Sequence, residues 1–575
     1  MPGRLMLPPT LSPPPPAFGI AKRLHLANML GLICTTAAIL GISSHQQLFK
    51  HGEWDRYSPT LGAIFVFTPL LVSPVLTVAL TGLSVHKTLL VVSAFWTSYF
   101  AGLFGSICVY RIWFHPLRAF PGPLARKVTG FTSMKNAVPG FKAFLRTRRL
   151  HEEYGDFVRI RPREISINDA DAVRDIHGPT SVCVKGPFYD VSHPSRSLQQ
   201  IRDKAAHAKK RRLWDRGFSM KALATYEPRV LAHCAEILSQ LSTHSQNGTK
   251  PVEISRWLDY FGFDVMGDLT FGKSFDMVKD GDTHFALKQM EESRTMVGAL
   301  INVPWTFNLL QSLPLVTAAR NEWLEFCKKQ LTERMELGTT RTDLFSHLIE
   351  PTTTTTVTGD LIVNTELAIV AGSDTTSFTT TALIYLLATN PAKQALLQRE
   401  LDTLFTDIHD ISNQKLATPG TAPFLEGCIN EALRLYPAVA SGTQRMTPPA
   451  GANIAGRWIP GDMLVFAPAG GLERDARNFP SPNEFIPERW SSKPDLITHR
   501  EAFNPFMAGP YGCAGKALAW MEMRLLVALV FRRFEVRLGG KDEGRGRGLK
   551  LFDEGFSDYF TAKAPEFEVV LVERG

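Results

Sequence analysis

The chain has 575 residues, 44% of them hydrophobic and 21% charged, with a formal net charge of +8. That length exceeds one average domain, and that apolar share excludes an intrinsically disordered chain. The charge is modest and the basic residues are not interleaved with aromatics, so no nucleic-acid platform is built; seven scattered cysteines without a C-x-x-C pair exclude a zinc ribbon or disulfide scaffold and point to a reducing compartment.

The first stretch, 1–25, carries Pro8, Pro9 and the run Pro13 to Pro16, too stiff and too poor in donors for helix or sheet, and reads as a leader. Three uncharged apolar stretches follow, Leu26 to Ser44, Tyr57 to Val85 and Thr88 to Tyr110, each near or above the roughly 20 residues that cross a bilayer. A cleaved signal peptide is one shorter stretch, so 26–110 reads as a membrane region. The Thr and Ser content of the first stretch leaves an interfacial helix open, and with it two crossings instead of three. Arg111, Arg118, Arg126 and Lys127 hold the far side of the third stretch in the cytoplasm; three crossings then place the N-terminus in the lumen, which Lys22 and Arg23 oppose. His115-Pro-Leu-Arg-Ala-Phe-Pro-Gly-Pro123 cannot continue a helix and makes 111–130 a stiff hinge.

Residues 131–575 read as one soluble domain. Phe157 to Ile167 alternates polar and apolar residues and predicts one or two strands, followed by a helix over Asp169 to Ile176. From His207 a basic helical segment (Lys209, Lys210, Arg211, Arg212, Arg216) runs to Gly217, by itself a solvated face. Residues 253–350 predict amphipathic helices broken at Gly272, Pro304 and Pro314, with apolar faces over Met296 to Leu315 that line a pocket or fill a core. Pro351, the threonines 352–356 and Gly359 read as a loop before the longest helical pattern, Leu361 to Asn390.

Within that helix, Ala371-Gly-Ser-Asp-Thr-Thr376 places a glycine, an acid and two β-branched residues where they cost helical propensity. A threonine hydroxyl bonding back to a carbonyl one turn earlier opens a helix locally; a kink without chemistry is the alternative. Glu431 and Arg434 stand at i and i+3 and can pair, and Phe485-Ile-Pro-Glu-Arg-Trp490 supplies a second arginine, Arg489. Phe506-Met-Ala-Gly-Pro-Tyr-Gly-Cys-Ala-Gly515 then presents a cysteine in a glycine-rich loop ahead of a helix, Lys516 to Arg533. The positive helix end favours the Cys513 thiolate, which can serve as nucleophile, redox centre or metal ligand.

The pattern Phe506-x-x-Gly509-x-x-x-Cys513-x-Gly515 resembles the cysteine-ligand loop of the cytochrome P450 monooxygenases. The resemblance covers residues 111–575 and implies a mainly α fold with a small β region, preceded here by transmembrane helices. It implies a haem b whose iron is bound by the Cys513 thiolate, which favours O–O cleavage. Ala371 to Thr376 is similar to the family's oxygen-binding motif, so Thr375 matches the residue that hydrogen-bonds dioxygen and Asp374 the acid that relays protons. His207 and Arg211 hold the spacing of a propionate-binding aromatic–arginine pair, with His for the usual Trp. Arg445 matches a further propionate partner, and Glu431, Arg434 and Arg489 a structural Glu–Arg–Arg cluster. Phe506, Gly509 and Gly515 carry the loop. One departure is Tyr511, where the family usually has a basic residue; this leaves the propionate charge to Arg211 and Arg445.

The leading function is therefore a membrane-anchored haem-thiolate monooxygenase at the endoplasmic reticulum, its catalytic domain in the cytoplasm. No G-x-G-x-x-G fingerprint is present, so electrons come from NADPH through a separate reductase, with cytochrome b5 as an additional donor. The alternatives are a haem-thiolate isomerase or dehydratase, against which Asp374-Thr375 tells, and a non-catalytic membrane haem protein. Segments expected around the substrate are Pro187 to Leu198, Met296 to Phe307, Ala368 to Ser373, Val439 to Thr443 and Gly555 to Tyr559, mostly apolar or small, which suits a hydrophobic natural product such as a terpenoid. Asn247-Gly-Thr249 is a glycosylation sequon, usable only in the lumen.

Overall fold

A computed structural model describes the backbone of residues 17–338, 341–348, 357–540 and 550–574. Of the expected leader, residues 1–16 lie outside the described residues, as do Pro351 and the threonine run; from Ala17 the chain is already helical, since no proline follows Pro16 until Pro59. Gly359 opens the long helix rather than closing the loop before it. Two compact units are present, 1–115 and 116–575.

The first unit holds three helices long and apolar enough to cross a membrane, Asn28–Phe49, Asp55–Thr81 and Val85–Phe114. The first and third run parallel and close. A Cβ on Gly41 would stand 2.1 Å from the Tyr99 carbonyl oxygen, one on Gly102 2.2 Å from that of Ala38, and further along His45 Nδ1 lies 2.8 Å from Ser106 Oγ. The second helix runs back against the third: Trp96 Nε1 donates to Ser73 Oγ at 3.1 Å, and the Phe65 and Phe100 rings lie 5.5 Å apart. The outward surface is apolar, with Leu32, Leu70 and Leu80 70%, 67% and 80% exposed, which suits lipid rather than water.

The second unit is built around the helix Gly359–Thr389, the longest of the described residues and buried almost throughout its second half. The helix Ile254–Phe271 lies against it because two glycines permit the approach. A Cβ on Gly372 would stand 2.6 Å from Met266 Sδ, and one on Gly262 2.5 Å from Ser377 Oγ. Ser377 Oγ donates across the contact to the Leu258 carbonyl at 2.9 Å. The helices Pro423–Leu435 and Lys516–Arg533 pack on the central helix from other sides, the latter with the bounds its sequence predicts.

A five-stranded sheet orders Phe157–Arg161, Glu164–Ile167, Leu464–Phe466, Arg445–Met446 and Val184–Lys185. The first two strands are the antiparallel pair that the alternating pattern predicts, Val158 opposite Ser166. The basic helix spans Lys204–Gly217, starting three residues ahead of His207 because the Asp203 carboxylate caps the Ala206 N–H at 2.7 Å. Helices break at Gly272, whose φ is +79°, and restart at Pro304 and Pro314.

Candidate active site

Cys513 follows a short turn, Gly509–Tyr511, and its N–H donates to the Phe506 carbonyl at 2.7 Å, which closes the loop. Gly509 has φ +68° and backs onto the chain at His177, where a Cβ would stand 2.3 Å from the carbonyl oxygen; only glycine fits there. The Cys513 side chain is exposed although protein surrounds it, so the sulfur faces an internal opening. Burial pushes its thiol up, opposed by the Gly515 and Lys516 N–H groups and by the charges of Arg211 and Lys516. The helix end alone therefore does not deliver the expected thiolate; a cation bound at the sulfur does, since a coordinating thiol is deprotonated outright.

Beside the loop lies a group of buried cations. Arg445 is 1% exposed; its Nη1 donates to the Gln444 carbonyl at 2.9 Å, and its Nε is buried without a partner. Its guanidinium stands 5.0 Å from the Tyr511 ring centre, against which His207 lies edge-on at 4.8 Å. The Tyr511 hydroxyl donates to the Arg202 carbonyl at 3.2 Å. Arg211 is already engaged, its Nε on Asp215 at 2.7 Å and its Nη1 on the Gly512 carbonyl. Sequence reasoning missed Lys185, which is 3% exposed with its ammonium 4.6 Å from the Tyr511 ring centre. Burial, then the charges of Arg445 and Arg211, bring the Lys185 amine down to about 6. Burial, then Lys185, Arg211 and Arg445, bring His207 down to about 3. No carboxylate is among the charges that shift either group. Buried cations that repel one another around an unpartnered guanidinium nitrogen fit the carboxylates of a haem.

In the central helix, Thr375 Oγ1 donates to the Ala371 carbonyl at 2.8 Å, the back-bond its sequence predicts, yet the helix is continuous and the expected local opening does not break it. Ala371 is exposed on a helix where Ile369 and Ser373, two positions to either side, are buried, so this face also borders an internal opening. Asp374 is buried and held from two sides. It pairs with the Arg294 guanidinium, from the helix Phe285–Leu300, and accepts from Thr561 Oγ1 at 2.5 Å. Nothing in the sequence around Arg294 signals that pairing.

Glu431, Arg434 and Arg489 are all fully buried. The Glu431 carboxylate accepts from Arg434 Nε and Nη2, Arg489 Nε, the Ile486 N–H and Trp490 Nε1, at 2.7 to 3.1 Å. The remaining guanidinium hydrogens go to backbone carbonyls of the segment 473–496, so this cluster pins the chain leading to the cysteine loop.

A cavity in the second unit is lined by Gly298, Ile301, Asn302, Ser441, Gly442 and Asp558, from three of the segments expected around a substrate. Pro187 to Leu198 and Ala368 to Ser373 do not line it. Its wall adds Arg126, Arg146 and Arg161, which the sequence did not suggest. Burial and the other two arginines bring Arg126 down to about 10. In the sequon, Asn247 has φ +50° and its Oδ1 accepts from the Glu573 N–H at 2.9 Å, a structural reason for an asparagine there.

A mainly helical unit with one cysteine loop at the start of a helix and a buried cation cluster beside it defines a haem-thiolate protein. The cytochrome P450 family model matches residues 131–546, and the chain belongs to that family. It is 42% identical over 512 residues to the cytochrome P450 monooxygenase nodW of Hypoxylon pulicicidum, covering 88% of this chain and 93% of the relative. It is 37% identical over 549 residues to the cytochrome P450 monooxygenase FCK2 of Fusarium pseudograminearum, covering 93% and 97%. It is 34% identical over 552 residues to the tryprostatin B 6-hydroxylase of Aspergillus fumigatus, covering 94% and 96%. A solved cytochrome P450, CYP102L1, superposes with a TM-score of 0.63 at 19% identity, over 76% of this chain and 96% of its own, which shows the fold. The chain is a haem-thiolate monooxygenase, and its family binds haem through a cysteine and draws electrons from a redox partner.

Proposed function

We propose that Cys513 is the iron ligand of a haem b, and that the protein hydroxylates or otherwise oxidises a hydrophobic small molecule of secondary metabolism. The observation that carries this reading is the buried pair Lys185 and Arg445 at Tyr511, neither with an ion-pair partner among the described residues, beside an exposed cysteine in a glycine loop. Arg445, His207 and Arg211 hold the haem carboxylates, while Phe506, Gly509, Tyr511 and Gly515 shape the loop. Haem, when bound, supplies the activation of dioxygen and the oxidation of a C–H bond.

The chain's own residues move the protons. Asp374, released from the Arg294 guanidinium, takes a proton at Oδ2 from the Thr561 side and passes it toward Thr375 Oγ1. Thr375, turning from the Ala371 carbonyl, donates into the opening that Ala371 borders. Glu431, Arg434 and Arg489 take no part in that chemistry and fix the segment that leads to Cys513.

Membrane attachment rests on the three apolar helices, whose up–down–up arrangement supports three crossings. Residues 26–110 are assigned as the membrane region, 111–130 as the hinge and 131–575 as the catalytic domain, at the endoplasmic reticulum and facing the cytoplasm. Electrons then come from NADPH through a separate reductase, with cytochrome b5 as an additional donor. A terpenoid fits the apolar lining of the expected segments; a tryprostatin-like product is the second class, favoured by the tryprostatin B 6-hydroxylase among the relatives. Spectral titration of the membrane-bound protein with both classes tests this: a substrate-type shift with neither class contradicts the assignment.

A further inference from the structure

Lys185 stands directly opposite Arg445 in the antiparallel pair Val184–Lys185 and Arg445–Met446. Like charges opposite one another across two strands are destabilising, and here both side chains are almost wholly withdrawn from water. Neither has an ion-pair partner among the described residues. Of the three ammonium donors of Lys185, one goes to the Leu198 carbonyl at 3.1 Å; the other two are free for an acceptor. Both cations also stand over the Tyr511 ring, the Lys185 ammonium 4.6 Å and the Arg445 guanidinium 5.0 Å from its centre. A basic side chain at 511 would add one more cation to the same space.

We propose that Lys185 supplies the cation that position 511 lacks: its ammonium, braced over the Tyr511 ring, holds a haem carboxylate together with Arg445. The inference rests on the haem-thiolate reading above. It adds a third cation to the expectation that Arg211 and Arg445 carry that charge alone, since two of the three Arg211 nitrogens are committed to Asp215 and the Gly512 carbonyl. It also explains why two buried cations face each other: the anion between them removes the repulsion and restores the charge on Lys185, which burial and its neighbours otherwise bring down to about 6. The groups facing Lys185 are Arg445, Tyr189, Tyr511, His207 and Arg211, and none is an acid of the carboxylate kind.

The test is the rate at which the full-length protein, in detergent, loses haem to excess apomyoglobin, with haem content measured alongside. Lys185→Met is expected to lose haem about ten- to a hundredfold faster, the value of a charge-assisted hydrogen bond. Lys185→Arg is expected near the wild-type rate, and Lys185→Met combined with Tyr511→Arg to recover most of the loss. A merely structural lysine is not rescued by a cation arriving from position 511. Haem loss from Lys185→Met at the wild-type rate overturns the proposal, as does a double variant that stays as leaky, or as poorly folded, as the single one. A wild-type protein with no thiolate-type haem spectrum instead overturns the reading on which the proposal rests.

Discussion

Replacing Glu431 by Gln removes one negative charge and leaves the side-chain shape almost unchanged. The site makes that costly. Arg434 and Arg489 are fully buried, and both point nitrogens at this one carboxylate, together with the Ile486 N–H and the Trp490 indole N–H. The amide nitrogen of Gln must face one of these donors, so at least one hydrogen bond becomes a donor–donor clash. Two buried guanidinium groups also lose the one carboxylate that pairs with them among the described residues. Breaking a buried ion pair by removing one partner costs about 3–5 kcal/mol, a large part of the roughly 5–15 kcal/mol that holds a folded protein together. Glu431→Gln is therefore expected to fall sharply in folded yield and in thermal midpoint by circular dichroism in detergent, and to retain little haem because the 473–496 segment ahead of the cysteine loop loosens. A variant with the wild-type midpoint and haem content would refute the reasoning.

Further outcomes follow from other sites. Glu522 is buried, and burial raises its carboxyl to about 8. The unfolded chain ionises this group from its usual 4.5 upward while the folded chain does not, so its contribution erodes stability as pH rises from 4.5 to 8 and is absent below. Glu522→Gln is expected to flatten that slope, gaining on wild type at pH 8 relative to pH 4.5; parallel pH–stability curves would contradict it. Asp374→Asn and Thr375→Ala are expected to keep haem but turn over about a hundredfold more slowly and release peroxide, measured per NADPH consumed; fully coupled turnover in both would make this helix a packing element. Asn247 is expected to carry no glycan, and protease outside sealed microsomes to digest the chain beyond Arg111. A glycan there would reverse the orientation.

Much of the fold was legible because it is local. The helix Lys516–Arg533 is bounded by Gly515 and by the alternating strand sequence Phe534–Leu538, and the central helix by a threonine cap and Pro391. The alternation through 157–167 set the first two strands. The glycine in Ala371 to Thr376 was harder to read. Gly372 serves the contact with Met266, so part of what looked like chemistry in that motif is helix packing. The missed residues are those that only the fold brings together. Arg294 reaches Asp374 across 80 positions, and Lys185 reaches the Tyr511 ring from a two-residue strand too short to announce itself. The thiolate at Cys513 was read from the helix end alone, without the burial that opposes it.

The most direct measurement is the carbon-monoxide difference spectrum of the reduced protein in membranes, wild type beside Cys513→Ser. The wild type is expected to show the thiolate-type band. The Ser variant, still present in the membrane fraction, is expected to show none and to oxidise no substrate, because a serine hydroxyl stays protonated and binds iron poorly. A Ser variant that keeps the thiolate-type band, or its turnover, would contradict the assignment of Cys513 and the haem-thiolate chemistry with it.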